Sequence, residues 1–212
     1  MRDLTSFTYL DKEYPVVITR KKMRRICYRL REDTFYISAP RLVSIDRIYS
    51  SLVKFAPKLI ESQKPAPIGN NFVYVLGYKC SFDPNGGVLN FNNGESIKYK
   101  NREDFEKKMK KVLLRICTNR VRYFENLMRL EPHNVRVRDM STRYGSNSKH
   151  TRTVTFALTL YHYSVDILDS IIVHELSHTI VFDHSKAFYD VVFKYCPNYK
   201  ALHNKIKKGI YL

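Results

Sequence analysis

The sequence predicts an α+β fold, in which a β-rich N-terminal half with one helix precedes a mainly helical C-terminal half with a short β-hairpin. Short alternating segments bounded by Gly, Pro and Asn dominate the first 100 residues, whereas helical spacing of apolar residues dominates from residue 102 onward. The composition, 44% hydrophobic and 27% charged over 212 residues, is that of a globular chain. We therefore expect two lobes, 1–100 and 101–212, which either share a core or form one continuous domain.

The first lobe is predicted to contain strands, one helix and turns. Residues 25–30 and 34–38 alternate apolar and polar side chains across a short connection and predict a hairpin, after an extended segment at 14–19. Ser44 predicts the N-cap of a helix whose apolar residues have helical spacing, and Pro57 predicts a kink or break in it. Further short strands are expected at residues 71–76, 78–82, 87–91 and 97–99.

The second lobe begins with a long amphipathic helix. Its apolar stripe extends from Arg102 to about Leu130, and Pro132 ends it. Two strands joined by a polar loop are predicted next, at 135–139 and 153–157, and a helix follows at about 165–181. Another helix is predicted between its cap at Ser185 and Pro197, which ends it, and a short helix is expected at the end of the sequence.

The net charge of the chain is +17, and its basic residues are spread along the sequence. This charge is compatible with nucleic-acid contact through a basic surface, or with a solvated surface that has no polyanionic partner. The four cysteines lie far apart without a C-x-x-C pair, which argues against a zinc ribbon. Because the N-terminus lacks a secretory pattern and no apolar run approaches the roughly 20 residues that span a bilayer, we expect a cytoplasmic protein without membrane contact.

The most informative segment is His174-Glu-Leu-Ser-His178. Residues four apart lie on one face of a helix, so both imidazoles can bind a single metal ion. Glu175 can then take a proton from a water on that ion, which is the arrangement of a zinc-dependent hydrolase. A shuffled chain of this composition would contain H-E-x-x-H roughly once in a hundred cases, so the pattern favours a metal site over coincidence.

A catalytic zinc needs a third protein ligand downstream of this motif. Glu175 is the last Glu of the chain, which excludes a later Glu ligand. The remaining candidates are Asp183, His184, Asp190 and His203. His184 has the spacing of H-E-x-x-H-x-x-G-x-x-H proteases, but Val181 replaces their Gly, and no Met follows Met140 to form their Met-turn. The sequence therefore excludes the metzincin class.

The motif and its surroundings resemble the YgjP-like metallopeptidase family, whose pattern is HELxH followed by NHSxxFW. Residues 183–189, Asp-His-Ser-Lys-Ala-Phe-Tyr, are similar to the second part of that pattern. Upstream, residues 140–146 resemble the family segment M-x-x-R-W-G-S-C-S, and residues 169–173 stand where it has D-Y-V-V-V. Residues 69–77 are similar to its N-terminal hairpin, so the resemblance covers nearly the whole chain.

The chain differs from the family pattern at four positions. Tyr144 and Tyr189 stand where Trp is usual, Asn147 where Cys is usual, and Asp183 where Asn is usual. None of these residues is an expected ligand or the expected base. The change at Asn147 argues that this position does not bind the metal here.

The resemblance implies a zincin-like catalytic region with one zinc ion on His174, His178 and His184. It also implies a zinc-dependent metallopeptidase that hydrolyses peptide bonds of a protein or peptide substrate through a zinc-bound water, with Glu175 as general base. Two alternatives stay open, motivated in part by the +17 charge. One is a metal-dependent hydrolase of a nucleotide or other phosphate-containing substrate, and the other is a nucleic-acid-associated module with a structural metal.

Arg143 and Tyr144, in the loop before the motif helix, are the candidate substrate-binding residues. Arg143 could contact the substrate or the oxyanion, or could equally be a surface arginine bonded to a backbone carbonyl. Tyr144 and Gly145 are otherwise expected to shape the turn.

Overall fold

The protein is described by a computed structural model that covers residues 5–31, 33–61, 65–91 and 94–212. The α+β class expected from the sequence is confirmed. The chain forms two compact units, Met1–Lys64 and Pro65–Leu212. This division falls earlier than the lobe boundary at residue 100 expected from the composition, because Val73 and Leu89 share one hydrophobic core with the helices that follow them.

The first unit is a four-stranded mixed sheet with one helix. Its strands are β1 (Ser6–Tyr9), β2 (Lys12–Lys21), β3 (Cys27–Arg31) and β4 (Thr34–Pro40), in the order β1-β2-β4-β3. β2 and β4 are parallel, and the predicted hairpin is the antiparallel pair β3–β4. Helix α1 (Ile45–Glu61) follows Ser44, whose Oγ accepts a hydrogen bond from the Arg47 backbone N–H at 3.3 Å, as an N-cap does. Pro57 lies inside this helix and does not end it.

The second unit contains two hairpins, a three-stranded sheet and four α-helices among the described residues. The hairpins are β5 (Phe72–Val75) with β6 (Tyr78–Ser81), and β7 (Gly87–Asn90) with β8 (Ser96–Tyr99). The sheet consists of β9 (Asn134–Arg138), β10 (Gly145–Ser148) and β11 (Thr153–Ala157). The helices are α2 (Arg102–Met128), α3 (Val165–Ile180), α4 (Lys186–Tyr195) and α5 (Tyr199–Lys208), with a 3₁₀ turn at Leu158–His162. No described helix combines the length and apolar character that crossing a membrane requires.

The three-stranded sheet differs from the expected pair of strands. β11 is parallel to β9 and antiparallel to β10, in the order β10-β11-β9. The hairpin of this half is therefore β10–β11, and β10 comes from a segment that was predicted to be a loop. The prediction was wrong there because the sequence Gly-Ser-Asn-Ser has low β-propensity, and this strand forms through its contacts with β11 and α3.

Helix α2 anchors helix α3. Asn101 caps α2 by accepting a hydrogen bond from the Asp104 N–H at 2.9 Å, and Arg129 ends it in the left-handed conformation. The guanidinium of Arg120 on α2 donates to both carboxylate oxygens of Asp169 on α3, at 2.7 and 2.5 Å. A partly buried, bidentate pair of this kind restricts the orientation of α3 on α2.

His162 is a buried imidazole whose protonation opposes folding. Its Nδ1 donates to the Tyr74 carbonyl oxygen at 2.8 Å. Burial lowers the pKa of His162 to about 4, although the hydrogen bond to Tyr74 acts in the opposite direction. The stability that this group contributes is fully present above its unfolded pKa of about 6.5, and it is lost as the pH falls toward 4.

Between pH 7 and pH 5, we expect the free energy of unfolding to fall by about 2 kcal/mol less for His162→Asn than for the wild type. The asparagine amide can still donate to the Tyr74 carbonyl but does not titrate. The measurement is the free energy of unfolding by chemical denaturation of both proteins, without metal, at each pH. Parallel pH profiles for the two proteins would contradict the assignment.

Candidate metal centre

The three predicted metal ligands lie together at the C-terminal end of α3. His174 and His178 are one turn apart on this helix, and His184 lies in the connection to α4. Their ligand nitrogens all lie within 4.8 Å of one another, and the Nε2 atoms of His174 and His184 are 3.3 Å apart. A tetrahedral zinc ion with Zn–N bonds of about 2.0–2.1 Å separates its nitrogen ligands by about 3.3 Å, so this donor set fits the ion. In the described part of the chain, the other candidates for a third ligand lie outside the cluster: Asp183, Asp190 and His203.

The end of helix α3 brings His184 back toward the helix. Val181 takes an extended conformation, with φ −127° and ψ 117°, so the chain leaves the helix without a glycine. His178 Nδ1 donates to the Phe182 carbonyl oxygen at 3.0 Å. This bond selects the tautomer in which His178 Nε2 is the ligand nitrogen.

Two aromatic residues hold the imidazoles in place. The ring of Phe188 is fully buried and lies 4.6–5.0 Å, between centroids, from all three histidine rings. The Tyr199 hydroxyl lies 2.9 Å from His174 Nδ1, and the two rings stack at 5.8 Å. When His174 Nε2 binds a metal, Nδ1 carries the proton and donates to the Tyr199 oxygen. Sequence reasoning did not find Tyr199, because it lies 25 residues after His174 on a different helix and belongs to no spacing motif.

Burial keeps the imidazole of His174 neutral. It lowers the pKa of His174 to about 4, and the neighbouring His178 and His184 contribute to the lowering. The pKa of His178 is also lowered, by burial and by His184. Neutral imidazoles are the form that binds metal ions.

Glu175 is almost fully buried beside these histidines, with 6% of its surface exposed. Burial raises the pKa of Glu175 to about 7, and the charge of Arg143 acts in the opposite direction. Gly145 of β10 lies directly against the carboxyl group. A Cβ added to Gly145 would lie 2.5 Å from Glu175 Oε1 and 2.7 Å from its Cγ. Any side chain at this position would displace the Glu175 carboxyl group, so glycine has a role here beyond the shaping of a turn that the sequence predicted.

Asn147 of β10 also contacts α3. It follows Gly145 by two residues, so both face the helix. Its Nδ2 donates to the Glu175 carbonyl oxygen at 2.7 Å and to Thr179 Oγ1 at 2.9 Å. The residue that stands at the family's cysteine position therefore bonds to the motif helix. Nothing in the spacing of the sequence pointed to this contact.

Thr179 connects the motif helix to a buried carboxylate. Its Oγ1 is 3.1 Å from Nε2 of His133, whose Nδ1 lies 2.9 Å from Glu125 Oε1. Glu125 also accepts hydrogen bonds from the His133 backbone N–H, at 2.6 Å, and from the Arg122 guanidinium. The charge of Glu125, which is 2% exposed, is thus paired and hydrogen-bonded, as a buried carboxylate requires. His133 has a structural role in this network.

The two predicted substrate-binding residues precede β10. Arg143 is exposed and within electrostatic range of Glu175. Tyr144 is partly buried, and its ring packs edge-on against Tyr163 at 5.9 Å between centroids. Its carbonyl oxygen accepts a hydrogen bond from the Ala157 N–H at 2.8 Å. Of the two, only Arg143 presents an exposed polar group beside the glutamate.

The sequence from residue 85 to residue 209 matches the family model described as YgjP-like, metallopeptidase domain. This match begins before β7 and includes α2 to α5, the three histidines and Glu175. The chain belongs to the YgjP-like metallopeptidase family. The resemblance of the motifs between residues 140 and 189 to those of YgjP-like proteins is thereby confirmed, whereas residues 69–77 lie outside the match.

Two crystal structures of metallopeptidase zymogens are similar to this YgjP-like chain. Abylysin of Pyrococcus abyssi is 22% identical, with a TM-score of 0.40, over 42% of this chain and 90% of the zymogen chain. Jannalysin of Methanocaldococcus jannaschii is 21% identical, with a TM-score of 0.39, over 42% of this chain and 92% of the zymogen chain. No curated protein matches the sequence.

We expect Tyr199→Phe to weaken zinc binding by about 10- to 100-fold, because it removes the hydroxyl that orients His174 and keeps the ring. The affinity can be measured by competition with a chromophoric chelator. Tyr189→Phe is the matched control, since Tyr189 has a ring contact with His184 but its hydroxyl bonds to none of the described residues. Equal zinc affinities for the two variants would show that the Tyr199 hydroxyl does not orient the ligand.

Proposed function

We propose that this protein is a zinc-dependent peptidase that hydrolyses peptide bonds of a protein or peptide substrate, with Glu175 as general base. The observation that carries this proposal is the convergence of three imidazole nitrogens within 4.8 Å of one another, next to a glutamate that follows the first of them in sequence. A structural zinc site has four protein ligands, whereas three ligands leave a coordination position open for substrate or water.

His174, His178 and His184 are proposed to hold one zinc ion per chain. Zinc bound by three imidazoles lowers the pKa of a water molecule and polarises a carbonyl group. The hydrogen bonds from His174 to Tyr199 and from His178 to Phe182 orient two of the three rings.

Glu175 is proposed to move the protons of the reaction. Its carboxylate accepts a proton from the attacking water and delivers it to the nitrogen of the leaving amine. Gly145 and Asn147 position this residue, the first through contact with the carboxyl group and the second through the Glu175 carbonyl. Exposed Arg143 is proposed to contact the substrate carbonyl oxygen. Tyr144, whose ring packs against Tyr163, is proposed as the second substrate-binding residue.

We expect Glu175→Gln to retain about one zinc ion per chain while peptide hydrolysis falls by about 10²- to 10⁴-fold, because the amide cannot accept the proton. Zinc content by elemental analysis and cleavage of a quenched peptide library are the two measurements. His184→Ala is the comparison variant, in which zinc itself is weakened or lost. Hydrolysis at the wild-type rate by Glu175→Gln would contradict the assignment of Glu175 as the general base.

We expect Gly145→Ala to reduce hydrolysis by about 100-fold at unchanged zinc content, because the added methyl group displaces the Glu175 carboxyl from its position. Ser146→Ala, at the next position of the same strand, is the control and should retain hydrolysis. Circular dichroism of each variant checks that it is folded. If Gly145→Ala cleaves peptides as fast as the control, the contact has no role in positioning the glutamate.

A further inference from the structure

A cavity of about 870 Å³ opens beside the histidine cluster, and the chemistry proposed above does not use it. His174 and His184 form part of its wall, and residues of α4 and α5 form the rest. Ligand pockets typically have volumes of about 300–1,000 Å³, so this cavity can hold several residues of a peptide. A substrate bound at the histidines would have this cavity beside it.

Positive charge predominates in the wall of the cavity. Lys186 at the start of α4 and Lys200 and Lys207 on α5 line it, whereas Asp190 is the one acidic residue among the described residues of its wall. Lys200 and Lys207 are seven residues apart, about two helical turns, and so project from one face of α5. The ion pairs among the described residues involve none of these three lysines. Their charges remain available to a ligand.

Aromatic rings line the cavity next to these lysines. Lys200 Nζ lies 5.2 Å from the centroid of the Phe193 ring, in a cation–π contact that holds the ammonium group at the wall. Phe193 in turn stacks on Tyr189 at 6.0 Å between centroids. The combination suits a ligand group with an apolar stem and a negatively charged end.

We infer that this cavity is a substrate subsite that binds a carboxylate of the peptide. The inference rests on the proposed peptidase function and names the substrate class, namely peptides with an acidic side chain or a free C-terminal carboxylate near the scissile bond. A carboxylate forms charge-assisted hydrogen bonds with ammonium groups, and these are stronger in a concave site than on an open surface. The side-chain and terminal carboxylates have the same chemistry, so the experiment separates them.

A nucleic-acid backbone fits the cavity less well than a peptide. Its binding is strong when many lysines and arginines contact successive phosphates. Here three lysines and one aspartate line the cavity, which is fewer positive charges than a backbone of successive phosphates requires. The cavity also opens at histidines proposed to promote attack on a carbonyl group.

The test uses zinc-loaded Glu175→Gln protein and three fluorescent peptides of one sequence. The first has Gln at the variable position and an amidated C-terminus, the second has Glu there, and the third has Gln with a free C-terminal carboxylate. We expect the second or the third peptide to bind at least about tenfold more tightly than the first by fluorescence anisotropy. The tighter of the two identifies the source of the carboxylate.

A charge swap separates the subsite from general electrostatic attraction. We expect Lys200→Glu with Lys207→Glu to reverse the preference, so that a peptide with Lys at the variable position binds more tightly than the peptide with Glu. Lys194→Glu with Lys208→Glu is the matched control, because both lysines are exposed on the same two helices, outside the cavity lining. A reversal of preference in the cavity variant alone cannot arise from unfolding.

The outcomes separate the subsite from the peptidase proposal. Equal affinities for the three peptides, or equal effects of the two double variants, overturn the subsite. Hydrolysis of all three peptides by the wild type at one rate also overturns it and leaves the peptidase function standing. Carboxylate-dependent binding with no hydrolysis by the wild type keeps the subsite and refutes the peptidase. A single-stranded oligonucleotide that binds the cavity lysines more tightly than the acidic peptide overturns the inference in favour of a nucleic-acid site.

Discussion

The close approach of strand β10 to helix α3 is the constraint on which the candidate site depends. Gly145 has no side chain, and a Cβ added there would lie only 2.5 Å from Glu175 Oε1. Asn147, on the same face of the strand, donates to the Glu175 carbonyl oxygen. One strand thus restrains both the side chain and the backbone of the glutamate. Functional groups carried on helices and strands are held more accurately than groups on loops, which is what a proton-transfer residue requires.

Helix α3 can present the two ligand histidines in a fixed direction because it is anchored near both ends. Asp169 in its first half pairs with Arg120 of α2, and Thr179 in its last turn reaches the buried carboxylate of Glu125 through His133. Between these anchors, the apolar side chains of α3 are buried in the core of the second unit. The partly exposed end of the helix can therefore hold polar side chains, because the helix is stabilised by apolar burial elsewhere along its length.

The segment that follows α3 completes the site and also places positively charged side chains beside it. His184 returns beside the motif helix, and Phe188, about one helical turn later, packs against all three imidazoles. Tyr199 at the start of α5 then bonds to His174. The helices that supply these contacts also carry Lys186 and Lys200 into the adjoining cavity. Ligand geometry and substrate electrostatics consequently depend on the same packing of α4 and α5 on α3.

The sequence by itself determined the class of the fold, the long helices and the adjacency of His174, Glu175 and His178, because helical periodicity is a local property of the chain. The position of the third histidine was anticipated from the family resemblance, since spacing alone left several candidates. Only the tertiary structure decided that the polar segment of β10 is a strand, that Gly145 faces the glutamate and that Tyr199 bonds to His174. The last two contacts join residues 25 or more positions apart. Over such separations the register of one element on another comes from packing, and no local pattern of residue types encodes it.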